Sequence, residues 1–261
     1  MPGHPIDPLR ATLAAGTAAP APADLPAGTP ALSAARLADP ALLGALLDRM
    51  CAEQGVRHRP RGAVDLVSAV AYGAVGPAAV GLYLLDRVAD PGTLWFRTGG
   101  PVSFAQPAYD PPRVALVGPA EHPDAVPLPD RAALTDWTAR RLVATMGPIV
   151  AALRRVSRVG PRTSWSFVAD SVHFATLIAA RDTGRAEHDA WRHAADLVAA
   201  MARHTTELWA RPRPFPVLGT LQPVRAACCF AYREGQAYCT SCPLLTNDDR
   251  RDRLTAWLTG P

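Results

Sequence analysis

Four of the five cysteines in this 261-residue chain lie close together near its C-terminus. Cys228 and Cys229 are adjacent, and after nine further residues Cys239 and Cys242 form a C-x-x-C pair. Four thiolates in one short segment are a ligand set for zinc or for an iron–sulfur cluster. The C-x-x-C turn suits either metal, because it directs both sulfurs to one side.

The adjacent pair favours a cluster with two irons over a single ion. Neighbouring side chains of an extended chain point to opposite sides, so Cys228 and Cys229 reach one ion only if the chain turns there. The spacing therefore favours an iron–sulfur cluster, with zinc, disulfides and unliganded thiols as the alternatives. The fifth cysteine, Cys51, is expected to be a small buried side chain, with a redox-active thiol as the alternative.

Other kinds of chemistry are poorly represented in the sequence. All 27 basic residues are arginines, which excludes Schiff-base chemistry, a Walker-A phosphate loop and a kinase-type lysine. The sequence has no G-x-S-x-G or H-E-x-x-H motif, and its seven histidines form no convincing metal-binding pair. The net charge of +4 is too small to indicate nucleic-acid binding by itself.

The residues around the cysteines resemble the C-terminal signature of the FhuF-type ferric siderophore reductases, which bind a [2Fe–2S] cluster. The matching positions are Arg225, Cys228, Cys229, Phe230, Tyr232, Arg233, Gly235, Cys239, Cys242, Pro243 and Leu244. The spacer between the cysteine pairs is one residue shorter than the family's usual ten. More weakly, Leu94–Arg97 and the segment around Trp165 resemble other parts of the family, although Ser166 and Phe167 replace its Gly and Asn.

The resemblance implies an enzyme that transfers one electron to Fe(III) in a siderophore, of the hydroxamate type, and so serves iron acquisition. Its donor is a ferredoxin or a flavoprotein, the four clustered cysteines are the cluster ligands, and no catalytic residue beyond the cluster is expected. Arg225 and Arg233 flank these ligands and are candidates for contact with substrate or donor. The alternatives are a zinc-stabilised module that binds a siderophore or partner without redox activity, and an iron–sulfur electron relay to another enzyme.

The elements that position the cysteines are predicted to form a predominantly helical α+β fold with a small central antiparallel sheet. Three parts are expected: a flexible Pro- and Ala-rich tail over 1–32, a main domain over 33–216 and a [2Fe–2S]-binding module over 217–261. The tail has too few large apolar side chains to offset the entropy lost on ordering. Because the N-terminus lacks the apolar core of a signal peptide, a cytoplasmic protein is predicted, with a peripheral position at the inner membrane face as an alternative.

Apolar spacing and turn residues predict the individual elements. Helices are expected over 33–51, over 66–85 in two buried stretches joined near Pro77, over 130–157 with a break at Gly147-Pro148, and over 164–181 and 187–210. Strands are expected over 93–98, 102–105 and 114–118. The uncharged segment 66–85 is long enough to span a bilayer, but its Ala, Gly and Pro content favours a buried helix, so no transmembrane segment is predicted.

The cysteine module is expected to be closed by a short C-terminal helix. Thr246 and Asp249 have the spacing of a helix-capping box. One face of this helix, formed by Leu254, Trp257 and Leu258, is expected to fix the module to the main domain. The core is also expected to hold three further tryptophans, Trp165, Trp191 and Trp209.

A basic segment precedes the module. Residues 131–162 contain seven arginines and a single acid, Asp136. Arg154, Arg158 and Arg162 share one face if a single helix carries all three. A solvated face is the simpler interpretation, and a docking patch for an acidic ferredoxin is the functional one.

Overall fold

The computed structural model describes residues 3–16, 19–97, 107–209 and 211–260. Its α-helices are α1 (Asp7–Ala15), α2 (Pro40–Gln54), α3 (Arg59–Leu85), α4 (Arg131–Val156), α5 (Pro161–Asp182), α6 (Glu187–Ala202) and α7 (Asn247–Thr259). Its strands are β1 (Ala31–Ser33), β2 (Arg87–Ala89), β3 (Leu94–Arg97), β4 (Pro107–Tyr109), β5 (Val114–Val117), β6 (Ala125–Leu128), β7 (Arg213–Val217) and β8 (Thr220–Val224). The predicted class, α+β and predominantly helical, is confirmed.

The strands form small sheets that border the helical core. In the first sheet β1, β3 and β4 are antiparallel, and in the second β2 pairs antiparallel with β5 while β5 and β6 run parallel. Strands β7 and β8 form a separate hairpin. The small predicted sheet is thus present in two parts, and the strand predicted over 102–105 lies outside the described residues.

Helix α3 lies at the centre of the core and packs most extensively against α5. It is one helix rather than the two predicted stretches, because Pro77 lies inside it without ending it. The small residues of α3 allow close contacts with neighbouring parts of the chain. At Gly81, for example, a Cβ atom would lie only 2.4 Å from the carbonyl oxygen of Arg87, which is too close for any residue other than glycine. The helix is long and apolar enough to cross a membrane, but 78% of its most apolar window is buried inside the protein. Burial in the core therefore explains its composition.

The N-terminal residues fold onto the main body, so the prediction of a flexible tail is wrong for the described part of 1–32. Ile6, Leu9 and Leu13 are buried in the core at helical spacing. Strand β1 adds to the first sheet by pairing with β3. The segment has few large apolar residues, but three of them have helical spacing and reach the core.

Several helices differ from the prediction: α2 begins at Pro40 rather than at 33, and α3 begins at Arg59 rather than at 66. Helix α4 continues through Gly147 and Pro148, where a break was expected. Helix α6 ends at Ala202, well before residue 210, and Trp209 beyond it is 65% exposed, so its predicted core position is wrong. Trp165 is buried as predicted, and Trp191 is half-buried.

The C-terminal hairpin and α7 have a small apolar cluster of their own, formed by Phe215, Val217, Val224 and Leu254. The predicted module boundary at 217 falls inside β7, because the hairpin already begins at Arg213.

The start of α7 is capped as predicted. The Thr246 hydroxyl oxygen accepts a hydrogen bond from the Asp249 amide at 3.1 Å. The apolar face predicted for this helix is wrong, however, since only Leu254 is buried, whereas Trp257 is 66% and Leu258 36% exposed. The helix is therefore held by Leu254 and by polar contacts described below.

Candidate metal centre

Residues 225–245, here called the cysteine loop, connect β8 to α7. Phe230, directly after the adjacent cysteines, has a φ of 61°, and Gly235 has a φ of 76°. Both angles lie in the left-handed region, and a 3-10 turn over Ala231–Glu234 separates them. These two reversals fold the chain back on itself, so that the nine-residue spacer still brings Cys239 to Cys229.

Backbone hydrogen bonds join the two ends of the cysteine loop. The Arg225 amide donates to the Ser241 carbonyl at 2.9 Å, which places the start of the loop beside the C-x-x-C turn. Within that turn the Cys242 amide donates to the Cys239 carbonyl at 2.9 Å. The four cysteines are therefore held in one compact segment.

The four thiols influence one another's ionisation. Cys239 has the largest effect on the pKa of Cys229, and Cys242 and Cys229 both act on that of Cys228. All four are free thiols, so the disulfide alternative is not what the structure shows. The main partner of Cys229 is thus Cys239 rather than its neighbour Cys228, which agrees with the expectation that neighbouring side chains diverge.

This arrangement fits two irons better than one zinc. Four sulfurs bound to a tetrahedral zinc at about 2.3 Å lie about 3.8 Å from one another. Among the described residues, no three of the cysteine sulfurs lie within 4.8 Å of one another. The one group of three potential ligand atoms that meets this distance in the described part of the chain is formed by His4, His122 and Asp124. In a four-cysteine [2Fe–2S] cluster each iron takes two protein sulfurs, so the four sulfurs do not have to converge on one point.

His4, His122 and Asp124 come together in the structure, although the sequence showed no convincing metal-binding pair of histidines. The two rings meet edge to face, with centroids 4.6 Å apart. His4 Nε2 lies 3.1 Å from Asp124 Oδ2, so the contact ties the N-terminal segment to the loop before β6. His4 Nδ1 accepts from an amide of its own segment, that of Ile6.

Polar groups around Cys229 favour its thiolate. The hydrogen bond with Cys239 lowers the pKa of the Cys229 thiol, and the charges of Arg61 and Arg225 act in the same direction. The same hydrogen bond raises the pKa of Cys239, while burial raises that of Cys228. Since the thiolate is the metal-binding form, these groups favour the form of Cys229 that would bind iron.

Further hydrogen bonds reach the sulfurs and the loop backbone. The Phe230 amide donates to Cys228 Sγ at 3.4 Å, and the Ser241 hydroxyl donates to Cys239 Sγ at 3.7 Å. Arg61 Nη1, from the first turn of α3, donates to the Cys229 carbonyl at 3.1 Å. These donors place partial positive charge close to the cysteine sulfurs.

Cys51 does not join the other four cysteines. It lies in α2 against α3, where a Cβ added at Gly62 would lie 2.2 Å from its sulfur. Burial, followed by the nearby charges of Asp65 and Glu234, raises the pKa of its thiol. The structure therefore gives Cys51 a packing position and a protonated thiol.

Arg250 of α7 supports the C-x-x-C turn and was not recognised in the sequence. Its side chain is fully buried and donates to the Cys242 carbonyl and, at 3.2 Å, to the Leu245 carbonyl. A charged residue in a polar helix is normally read as solvent-exposed. Arg250 is buried because the cysteine loop passes over α7 and covers its side chain.

Asp170 of α5 is a second residue that the sequence did not single out. It is 6% exposed, its Oδ1 accepts from the Ala226 amide at 3.2 Å, and its Oδ2 has no partner among the described residues. Burial raises its pKa to about 7, opposed by the Ala226 hydrogen bond and the charge of Arg225. Nothing in the sequence around Asp170 could have placed it beside the cysteine loop.

The two arginines predicted to contact substrate or donor lie in different settings. Arg225 is half-buried at the base of the loop, with its Cζ 5.6 Å from the Phe167 ring centroid. Arg233 is exposed, and its Nε donates to the Tyr232 hydroxyl at 3.1 Å. The structure thus brings Arg225 into the site and leaves Arg233 on the loop surface.

Comparison with known proteins agrees with this geometry. Residues 225–244 match the family model of the FhuF 2Fe-2S C-terminal domain. No curated protein and no solved structure matches the chain. The matched segment contains all four paired cysteines, and the expected [2Fe–2S] cofactor is confirmed. The chain therefore carries an FhuF-type [2Fe–2S] C-terminal domain, formed by residues 225–244.

Proposed function

We propose that this protein reduces Fe(III) in a siderophore complex by one electron and releases the iron as Fe(II). The observation that carries the proposal is the FhuF-type domain, whose four thiols the cysteine loop holds close together. A bound [2Fe–2S] cluster supplies one-electron transfer. A reduced ferredoxin or flavoprotein loses one electron and Fe(III) gains it, so no proton has to move. Hydroxamate oxygens hold Fe(II) less tightly than Fe(III), and reduction therefore releases the metal.

In this proposal the residues of the chain hold the cluster and adjust its charge environment. The ligands are Cys228, Cys229, Cys239 and Cys242. Arg61 and Arg225 place positive charge beside Cys229, and donors to sulfur and positive charge both favour the more negative, reduced state. Cys228 and Cys239 are half-buried, so the centre lies near the protein surface, within reach of external partners. We also propose a cytoplasmic location; the burial of α3 supports a helix of the protein core rather than one that crosses a membrane.

The proposal predicts a coloured protein that reduces a ferric trihydroxamate. Protein purified without oxygen is expected to hold about two irons and two sulfides per chain. With reduced ferredoxin it is expected to form Fe(II), measured as the coloured complex with a ferrous chelator, at a rate far above that of ferredoxin alone. A protein with one zinc and no iron contradicts the proposal. A cluster that passes electrons to another protein but leaves the ferric chelate unreduced supports the electron relay instead.

We further propose that the donor docks on a basic surface, the arginine patch, formed by Arg154, Arg155, Arg158 and Arg162. The other three arginines of 131–162 are in ion pairs: Arg131 with Asp86, Arg140 with Asp136 and Arg141 with Asp90. The four patch arginines are exposed. Arg154, Arg158 and Arg162 would share one face only on a single helix, and they do not, because α4 ends at Val156 and Arg162 belongs to the first turn of α5.

The arginine patch lies at the same end of the molecule as the cysteine loop. The first turn of α3 links them: Arg59 Nε donates to the Val156 carbonyl at 3.0 Å, and Arg61 donates to the Cys229 carbonyl. Arg162 also lies over the exposed ring of Trp209, with its Cζ 4.0 Å from the ring centroid. A negatively charged donor bound here would approach the cluster from this end.

Docking on the arginine patch predicts a strong dependence on salt. The rate at which reduced acidic ferredoxin bleaches the cluster, followed by stopped-flow absorbance, is expected to fall steeply as ionic strength rises. The double variant Arg155→Glu/Arg158→Glu is expected to lower that rate about tenfold or more at low salt. Arg192→Glu, at an exposed arginine of α6 outside the patch, serves as the control. A flat salt dependence, or equal loss in both variants, contradicts docking here.

A further inference from the structure

Two histidines and a carboxylate meet where the N-terminal segment lies against the loop before β6. His4 Nε2 lies 3.1 Å and His122 Nδ1 lies 3.9 Å from the same atom, Asp124 Oδ2. One ligand atom from each residue lies within 4.8 Å of the other two. These three residues are here called the histidine site, and none of them belongs to the cysteine loop.

The spacing of these atoms is close to that of a metal coordination sphere. Nitrogen and oxygen ligands bind zinc at about 2.0–2.2 Å, so in a tetrahedral site they lie about 3.4 Å apart. The two measured distances, 3.1 Å and 3.9 Å, lie on either side of this value. Small rotations of the three side chains would therefore bring their ligand atoms onto one ion.

The types of ligand indicate a divalent transition metal. Imidazole suits zinc and its neighbours in the first transition series, whereas magnesium and calcium prefer oxygen ligands. Two histidines and one carboxylate are also the protein ligands of known zinc sites in which the fourth position is open. The histidine site offers no sulfur, so its metal chemistry differs from that of the cysteine loop.

Both sides of the histidine site are fixed by the fold. The Asp124 carbonyl accepts an amide hydrogen bond from β5 at 2.8 Å, which holds the loop against the second sheet. On the other side Ile6 is buried in the core, and the Pro5 carbonyl accepts from Arg87 Nη1 at 3.2 Å. The side chains of His4 and Asp124 therefore start from backbone that is already in place, which lowers the entropy cost of binding an ion.

A metal ion would compete with local hydrogen bonds at this site. Nδ1 of His4 accepts from the Ile6 amide, and Nδ1 of His122 accepts from the Asp124 amide, both at 3.1 Å. Neutral His4 therefore carries its ring proton on Nε2, which faces Asp124. On binding, the ion takes the place of the amide at His122 Nδ1, while the His4 proton moves to Nδ1 and the ring turns away from the Ile6 amide. Both lost bonds join residues two positions apart, and coordination to the ion replaces them.

We propose that the histidine site binds one divalent transition-metal ion, for which zinc is the best fit, and that the ion fastens the N-terminal segment to the loop before β6. The segment already packs on the core through Ile6, Leu9 and Leu13, and the ion adds a link at its start. A ligand that binds only the folded form stabilises that form, so zinc is expected to hold residues 3–16 more firmly. The inference does not depend on the proposed reductase activity.

Zinc binding to the cluster-loaded full chain tests the histidine site. Anaerobic equilibrium dialysis and metal analysis are expected to show about one zinc per chain beside the about two irons and two sulfides of the cluster. His4→Ala and His122→Ala are each expected to weaken zinc binding about tenfold or more. His188→Ala, at an exposed histidine of α6, is expected to leave it unchanged.

Hydrogen–deuterium exchange tests the link to the N-terminal segment. Zinc is expected to slow amide exchange over residues 3–16 in the parent protein and in His188→Ala, but not in His4→Ala. Magnesium at the same concentration is expected to have no effect, because imidazole is not among its preferred ligands.

The outcomes separate the histidine site from the cysteine loop. Because His4 and His122 are partly exposed, both variants are expected to keep the cluster absorbance and circular dichroism of the parent protein. Unchanged zinc binding in both variants, or no zinc on the parent protein, overturns the site. Zinc that enters only as iron and sulfide leave occupies the cysteine loop and also overturns it. Zinc binding without slower exchange over 3–16 overturns the link, and equal protection by magnesium overturns the choice of metal.

Discussion

Replacing Cys239 with alanine is expected to remove the [2Fe–2S] cluster from the protein. Cys239 is the partner of Cys229, so its loss leaves one iron position with a single protein sulfur. Iron and sulfide are expected to fall from about two each per chain to near zero, with loss of the visible absorbance. Ferrous iron release from a trihydroxamate is expected to disappear with the cluster. The measurement is anaerobic metal and sulfide analysis beside a ferrous-chelator assay.

Cys51→Ala provides the matched control, because it removes a thiol that the structure keeps outside the centre. Because the Cys51 side chain packs against α3, the variant is expected to lose a modest amount of unfolding free energy. Its iron and sulfide content is expected to stay unchanged. Full cluster content in Cys239→Ala would contradict the ligand assignment. Loss of the cluster in Cys51→Ala at a temperature where the protein stays folded would show that this thiol takes part.

The second large effect is expected at Arg250. Replacing it with methionine keeps much of the side-chain volume but removes the buried donor to the carbonyl oxygens of Cys242 and Leu245, of which the Cys242 oxygen keeps the Leu245 amide at 3.3 Å. A buried acceptor left without a partner costs about 1–3 kcal/mol, so the variant is expected to lose about 2 kcal/mol of unfolding free energy. Because these carbonyls belong to the C-x-x-C turn and the residues after it, the cluster is also expected to be lost faster to a chelator.

Arg251→Met is the neighbouring control. Arg251 is exposed and pairs with Asp248 on the surface, so its replacement is expected to change stability by less than about 0.5 kcal/mol. Anaerobic urea unfolding gives the stability, and decay of the cluster absorbance in the presence of chelator gives the loss rate. Equal behaviour of the two variants would show that the buried arginine does not hold the turn.

The metal centre was largely predictable because its signals are local. The adjacent cysteines and the C-x-x-C pair lie within fifteen residues, and a divergent adjacent pair already favoured two irons. The cap at Thr246 is likewise a contact between residues three apart. Such features involve residues that are close together in the sequence, so the sequence alone is enough to recognise them.

Features that depend on distant parts of the chain were not predictable in this way. Pro77 was expected to divide a helix, but packing on all sides of α3 offsets the lost hydrogen bond. A flexible tail was predicted from the average composition of residues 1–32. Whether the segment packs on the core depends instead on three apolar side chains, Ile6, Leu9 and Leu13, which are buried. Asp170 meets the loop at Ala226, fifty-six positions further along the chain. Arg250 is buried only because the loop crosses it.

Helix α5 begins in the arginine patch and runs past the cavities beside the cysteine loop. Arg162 lies in its first turn, and Phe174, which lines two of these cavities, lies twelve residues further on, about 18 Å along the axis. No arginine of the patch lines either cavity, so we expect a donor on the patch and a chelate beside the loop to be bound at the same time. Steady-state kinetics with both substrates varied would then follow a ternary-complex pattern, in which neither partner must leave before the other arrives.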